Sequence, residues 1–319
     1  MKRVGYLFNK VISLENLYRA SKNASKGKNS RKDVKRWNKN LDINIQKLYD
    51  ELSNKTYVVS GYYDFIIKDP KERIISRLPF KDRVVQHALM IYLEPIFRKY
   101  FISQTYSCIK RRGILKCSLD LRRYLKDNTT EYALKLDVKK FYPSVNNEIL
   151  KSLLKTKFKD KDLLWLLDTI IDSSKGLKLG NFTSQWFANL YLNKFDHWIK
   201  EQKRIKYYQR YCDDLLILGN NKEELHLLRK EIESYLNNNL HLELSKYQIF
   251  HISSRGIDFV GYVHYRGYTK LRKSIKKKFI KMMKYNRNNK SIASYKGWLK
   301  WGNCVNLQNK YLNYGHKSS

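Results

Sequence analysis

The sequence predicts an α+β chain built around a split sheet of the ferredoxin-like β-α-β-β-α-β kind, and three observations predict it. The segment YALKLDV at 132–138 alternates apolar and polar residues, the mark of a half-buried strand that ends at Asp137. The segments YYQRY and LLILG flank Cys212-Asp213-Asp214, which reads as strand, tight turn, strand. Apolar residues at helical spacing fill the intervals on both sides of that hairpin.

Taken in order, residues 1–56 are basic and helix-like, with the run SKNASKGKNSRKDVKR near the start. Residues 57–67 (YVVSGYYDFII) read as a strand. A turn at Asp69-Pro70 and a second strand over 73–78 complete a hairpin with a basic turn. Residues 82–100 read as a helix, because Val84, Val85, Ala88, Leu89, Tyr92 and Leu93 recur at helical spacing. After the 132–137 strand come two apolar helical stripes. Ile149, Leu150, Leu153 and Leu154 form one, and Leu163, Leu164, Leu167, Ile170 and Ile171 form the other; both are core rather than chemistry. A Gly-containing turn, KGLKLGN, precedes a helix over 183–201. Beyond the hairpin, Leu225, Leu228, Ile232 and Leu236 mark a helix over 222–237, and strands are expected at 243–250 and 257–265. The tail from Lys270 reads as basic and helical, with Trp298, Leu299 and Trp301. No repeat and no Pro- or Gly-rich linker separates these segments.

The 65 Lys and Arg outnumber the 29 Asp and Glu, for a net charge of +36. Self-repulsion at that level calls for a polyanion, and a nucleic-acid backbone is the first choice. An anionic membrane surface is the competing partner. A genome biased to Lys, Asn, Ile and Tyr codons accounts for the 25 tyrosines, but less well for the shortage of acids. No apolar run reaches the length of a membrane-spanning helix, and MKRVGYLFNK lacks a signal peptide's apolar core. The spacing of Cys108, Cys117, Cys212 and Cys304 fits neither a zinc site nor a disulfide framework. Reduced thiols and the cytoplasm are the expectation, with no membrane partner.

Asp213 and Asp214 sit in a very apolar hairpin, where adjacent carboxylates repel and need a cation. In the split sheet the strand ending at Asp137 lies beside that hairpin, which would set Asp137 against Asp213 about 5 Å away. Two magnesium ions are the natural filling, because magnesium takes carboxylate, phosphate and water oxygens, and a pair can clamp an in-line phosphoryl displacement. The bland alternative is an acidic turn exposed to water. A non-catalytic RNA-binding module is the alternative from another class, since split sheets with many aromatics also bind RNA. Such a module gains nothing from carboxylates converging near a phosphate.

YCDD within a strand-turn-strand resembles the signature hairpin of reverse transcriptases, and LKLDVKKFYPSV resembles that family's first metal-binding strand. The resemblance runs from about residue 55 to residue 275. It implies a right-hand polymerase: an N-terminal extension and fingers over 1–131, a ferredoxin-like palm over 132–270 with a helical insertion near 144–180, and a small helical thumb over 271–319. KLGNFTSQWFANLYL narrows it. Most reverse transcriptases carry Gln-Gly followed by Ser-Pro there; Leu179-Gly180 and Ser184-Gln185 resemble the diversity-generating retroelement pattern. LPFKDRVVQHAL, QTYSCIKRRG, SRGIDFVGY and KLRKSIKKKF are similar to the same subfamily.

The resemblance implies error-prone, RNA-directed DNA synthesis. Asp137, Val138, Asp213 and Asp214 would hold two Mg2+ ions, with Mn2+ able to substitute. Arg73 would grip the incoming deoxynucleoside triphosphate, assisted by Lys68 or Lys71. Tyr142 would stack under the sugar and exclude a 2′-hydroxyl, with Phe141 the better core candidate of the two. Leu179 would touch the nascent base pair, where an aliphatic in place of Gln loosens selectivity. Gly180, Gln185 and Lys246 complete the nucleotide-binding set. Lys22, Lys26, Lys28, Arg31, Arg111, Arg112, Lys270, Arg272, Lys273 and Lys277 would contact the template RNA and the cDNA or primer. A small basic accessory protein oligomer and a structured element-encoded RNA are implied partners. No ribonuclease H or endonuclease domain is expected after the thumb. Retron, group II intron and phage-defence reverse transcriptases stay open as alternatives.

Overall fold

The computed structural model describes residues 2–68, 72–285 and 287–312. Four helices lead: α1 (Phe8–Ile12), α2 (Leu14–Ser25), α3 (Lys32–Lys39) and α4 (Leu41–Ser53). Strands β1 (Tyr63–Ile67) and β2 (Arg73–Arg77) precede α5 (Phe80–Tyr100) and α6 (Ile114–Tyr124). Strand β3 (Tyr132–Asp137) is followed by α7 (Phe141–Ser144), α8 (Asn147–Lys155), α9 (Lys161–Asp172), α10 (Phe182–Tyr191) and α11 (Asn193–His197). Then come β4 (Tyr207–Tyr211), β5 (Asp214–Gly219), α12 (Lys222–Leu240), β6 (Gln248–His251) and α13 (Ile252–Arg255). Strands β7 (Ile257–Phe259), β8 (Tyr262–His264) and β9 (Thr269–Leu271) lead to α14 (Lys273–Tyr285), α15 (Asn289–Leu299) and α16 (Val305–Tyr311).

These elements pack as two compact units, neither continuous in sequence. One takes the chain up to Ile102, Val138–Trp198 and Ser234–Glu243; the other takes Ser103–Asp137, Ile199–Glu233 and Leu244 onward. A boundary therefore falls between Asp137 and Val138.

In the first unit, α5 is the central helix, with α2 and α10 against it. Its buried residues include Val84, Val85, Leu89, Leu93 and Phe97. Phe97, Phe101, Phe158 and Trp186 form an aromatic cluster with centroids 5.9 to 6.4 Å apart. Strands β1 and β2 form an antiparallel ribbon in register from Tyr63↔Arg77 to Ile67↔Arg73. Tyr63, Phe65, Ile66 and Ile74 of this ribbon are exposed. The strand expected over 57–67 begins only at Tyr63, and the reason is tertiary. Tyr57 is buried, its hydroxyl donates to Asp82 at 2.7 Å, and the Ser60 N–H donates to the same carboxylate oxygen at 3.2 Å. That fixes 57–60 against α5 instead of in the ribbon. The turn at Asp69-Pro70 lies outside the described residues.

The second unit holds the split sheet, in the order β4-β5-β3-β6 with every pair antiparallel. That is the ferredoxin-like order expected from the sequence. Tyr106, Cys117, Leu121, Ala133, Leu216 and Leu218 belong to the core that includes α6, a helix the sequence reading missed. A second core joins Tyr262 and Leu271 of the β7-β8-β9 sheet to Phe279, Leu299 and Cys304 of the C-terminal helices. Here the sequence reading needs correction at three points. The 257–265 strand breaks at Val260 and Gly261, both at positive φ (44° and 88°). Residues Thr269–Leu271 form a strand rather than starting a helix, and the helix begins at Lys273. Of 243–250, only Gln248 onward is strand. The helix expected over 183–201 is also interrupted: α10 and α11 are separate, and Trp198–Gln202 is a π-helical turn. Among the described residues no helix is long and apolar enough to cross a membrane.

His264 of β8 is fully buried, its Nε2 makes no hydrogen bond, and burial lowers its pKa from 6.5 to about 4. A histidine kept neutral by the fold binds its proton more readily when unfolded. Its contribution is therefore intact above pH 6.5 and is lost as pH falls from 6.5 toward 4. At pH 5 we expect a loss of about 2 kcal/mol, read by thermal unfolding at pH 7 and 5. His264→Gln should flatten the dependence, and an unchanged slope would rule out this origin.

Candidate active site

The hairpin that carries the aspartates pairs an apolar β5 with β4, whose Gln209 and Arg210 are buried, and is closed by a two-residue turn. Leu215, Leu216, Ile217 and Leu218 of β5 are all buried, so the strand is covered on both faces. The turn is Cys212-Asp213, with Cys212 at φ 56°. Beneath it Arg210 is wholly buried, and its Nη1 donates to the Cys212 carbonyl at 3.0 Å. A buried guanidinium thus braces the turn that bears the acids.

The register decides which carboxylates meet. Asp137, the last residue of β3, lies directly opposite Asp214, the first residue of β5. This corrects the expectation that Asp137 faces Asp213, which instead occupies the turn. Directly opposite residues share a face, with Cβ atoms about 5 Å apart, and like charges so placed repel. Asp137 is further held by Ser245, whose hydroxyl donates to Oδ2 at 2.6 Å and whose N–H donates to the Asp137 carbonyl at 2.8 Å. Ser245 was not read from the sequence. Its only signal there was its place beside Lys246, the residue that drew attention instead.

Among the described residues no three His, Cys, Asp or Glu side chains close into a ready-made metal cage. The donors do suit magnesium, which takes one or two protein carboxylates and completes its shell with phosphate and water. The one soft donor in the turn is withheld. The Cys212 thiol donates to Cys108, which with burial holds its pKa far above the ordinary thiol range; the Cys108 thiol is drawn down to about 7 by the same bond.

The other predicted residues fall as follows. Arg73 and Lys68 are exposed on and beside the β1-β2 ribbon; Lys71 lies outside the described residues. Phe141 is buried and Tyr142 half-buried beside it, ring centroids 5.7 Å apart, as the choice of Phe141 for the core required. Val138 is buried. The Leu179 carbonyl accepts from the Ser76 N–H of β2 at 2.7 Å, Gly180 follows at φ 119°, and Gln185 is exposed on α10. Lys246 is exposed and outside any strand. Lys22, Lys26 and Arg31 are exposed around the α2–α3 connection, with Lys28 half-buried among them. Arg111 is exposed, and Arg112 donates to the Thr105 carbonyl at 2.9 Å. Lys270 lies over the stacked rings of Tyr265 and Tyr268, 5.3 and 5.1 Å from their centroids. Arg272 pairs with Asp258 at 2.6 Å, whereas Lys273 and Lys277 are exposed on α14.

Known proteins similar to this chain identify its family. The family model for reverse transcriptase (RNA-dependent DNA polymerase) matches residues 66–264. Protein YkfC of Escherichia coli is 23% identical over 278 residues, covering 70% of this chain and 71% of that protein. Nuclear intron maturase 4, mitochondrial, of Arabidopsis thaliana is 26% identical over 180 residues, half of this chain but 21% of the maturase. Among solved structures, apo telomerase from Candida tropicalis superposes with a TM-score of 0.49 at 15% identity, covering 67% of this chain and 49% of the telomerase chain. Telomerase from Candida albicans in complex with a fragment of telomeric RNA gives 0.48 at 12% identity, over 75% and 55%. The chain thus spans about half the length of the telomerase chains it resembles. With the family model matched over more than half of its residues, this chain belongs to the reverse transcriptase (RNA-dependent DNA polymerase) family.

Proposed function

We propose that the chain copies RNA into DNA with Asp137, Asp213 and Asp214 as its catalytic carboxylates. The observation that carries this reading is the register of Asp137 against Asp214 in a hairpin whose turn is Asp213. Magnesium ions, with manganese as a substitute, would be held by these aspartates and by the Val138 main chain. When bound they supply Lewis-acid activation of the primer hydroxyl and neutralise charge at the leaving pyrophosphate. The primer 3′-oxygen forms a bond to the α-phosphorus as the bond to pyrophosphate breaks. Ser245 keeps one oxygen of Asp137 engaged and so orients the other. We assign Arg73, with Lys68 and Lys71, to the triphosphate, Tyr142 to exclusion of a 2′-hydroxyl by bulk, and Lys246 to the departing pyrophosphate. The basic residues of the N-terminal helices and of α14 hold template and primer backbones. The fingers, palm and thumb follow this assignment.

The test is magnesium-dependent primer extension on an RNA template, comparing wild type with Asp213→Ala. Extension by wild type alone supports the reading. An Asp213→Ala enzyme that extends normally removes the two-metal assignment.

The finer reading is a diversity-generating retroelement enzyme, supported by Leu179-Gly180 and Ser184-Gln185 where most reverse transcriptases carry Gln-Gly and Ser-Pro. It brings a small basic accessory protein and a structured RNA as partners. Leu179→Gln should then raise base selectivity severalfold, and product sequencing should show wild-type errors concentrated at template adenines. The likeness to an intron maturase favours a group II intron-like enzyme instead, for which errors spread evenly over the four template bases are the expected result.

A further inference from the structure

The turn that carries Leu179 and Gly180 leads into α10, and the start of that helix lacks its own cap. The first N–H groups of any helix need an acceptor from outside the helical ladder. Asn181 stands at the N-cap position but makes no side-chain capping bond. Its Nδ2 donates to the Tyr62 hydroxyl at 3.0 Å, and its Oδ1 is buried with no hydrogen-bond partner. The acceptor comes instead from α5. Gln86 Oε1 takes the Phe182 N–H at 2.7 Å and the Thr183 N–H at 3.4 Å. Gln86 is 2% exposed, so water does not compete for those bonds. The next residue on α5, His87, stacks its ring on Phe182 at 4.2 Å and 16°. On the other side of the turn, the Ser76 N–H holds the Leu179 carbonyl.

We infer that Gln86 is a positioning residue for nucleotide selection, fixing the Leu179–Gly180 turn by capping α10 from a neighbouring helix. The inference rests on the proposed contact of Leu179 with the nascent base pair. Without the Gln86 oxygen two N–H groups lose their acceptor, Thr183 being buried, and the helix start must move to find another. Gln86 itself need not touch a nucleotide. A displacement of about 1 Å at a positioning element is enough to change rates by up to about 100-fold.

The experiment is single-turnover incorporation of matched and mismatched deoxynucleotides on a primer annealed to RNA. Gln86→Met keeps length and volume and removes the acceptor. Gln86→Glu keeps an acceptor, favoured further by the positive end of the helix dipole. Gln86→Met should lower the ratio of matched to mismatched incorporation about tenfold, chiefly through the apparent Kd for the nucleotide rather than the maximal incorporation rate. Gln86→Glu should stay within about twofold of wild type. Thermal unfolding of each variant identifies any that do not fold. If Gln86→Met does not, Gln86→Asn, whose oxygen is drawn back by one methylene, carries the test with the same expected direction. Wild-type selectivity in the acceptor-deficient variant overturns the proposal, as does a Gln86→Glu enzyme as unselective as Gln86→Met. Leu179→Gln in the same assay separates the causes. If it shifts selectivity while Gln86→Met does not, Gln86 is not the positioner. If neither does, the assignment of the turn to the base pair has failed as well.

Discussion

Asp137→Asn is expected to reduce magnesium-dependent nucleotide incorporation by about 1,000-fold or more while leaving the protein no less stable. The first half follows from chemistry: an amide keeps the shape and the hydrogen bond from Ser245 but loses the charge that a divalent ion needs. The second half follows from the register. Asp137 and Asp214 are directly opposite, and a like-charged cross-strand pair costs about 0.2–1 kcal/mol relative to a neutral one. Removing one charge therefore relieves the sheet. A third readout is independent of catalysis. Millimolar magnesium should raise the unfolding temperature of wild type more than that of Asp137→Asn, because an ion that binds the folded state stabilises it by mass action. Incorporation within tenfold of wild type would remove Asp137 from the chemistry. Incorporation lost together with a lower unfolding temperature would make it a structural residue.

Gly180→Ala should damage both stability and nucleotide binding. An added Cβ would lie 2.4 Å from the Ser76 carbonyl oxygen, at a φ of 119° that side-chain-bearing residues rarely adopt. Backbone strain and overpacking each cost roughly 1–3 kcal/mol, so a loss of about 3 kcal/mol is expected unless the turn moves. If it moves, the strain is exchanged for misplacement of Leu179, and KM for the deoxynucleotide rises about 10-fold or more. Unfolding and steady-state kinetics together capture either route. Gly61→Ala is the control, because a Cβ there meets nothing within 4 Å. Wild-type values for Gly180→Ala in both measurements would show that the turn is more tolerant than its geometry indicates.

The split sheet was legible because its strands carry their signals locally. The buried run Leu215–Leu218 between two acids and a glycine has few other readings, and YALKLD alternates as a half-buried strand must. What escaped were features set by contacts distant in sequence or by backbone geometry that the residue types do not signal. The exchange of Asp214 for Asp213 opposite Asp137 depends on a tight turn with Cys212 in the left-handed region, and cysteine does not advertise that conformation as Gly or Asn would. The β-forming residues at 57–60 were claimed by the buried Asp82, a partner 25 residues away from Tyr57. Ser245 and Gln86 each act through two hydrogen bonds across more than 90 residues, which no periodicity records. Thr269–Leu271 was lost to its lysine-rich surroundings, which resemble a helix start.

The bare β1–β2 ribbon has a consequence for how copies of this protein behave in solution. A two-stranded ribbon with Tyr63, Phe65, Ile66 and Ile74 exposed offers an adhesive apolar surface. What keeps two such molecules apart is their shared net charge of +36. That repulsion reaches about 10 Å at 0.1 M salt and only about 3 Å at 1 M. Salt strong enough to strip bound polyanions therefore also removes the barrier to self-association, so the protein is colloidally safest at intermediate ionic strength or with a nucleic acid in place.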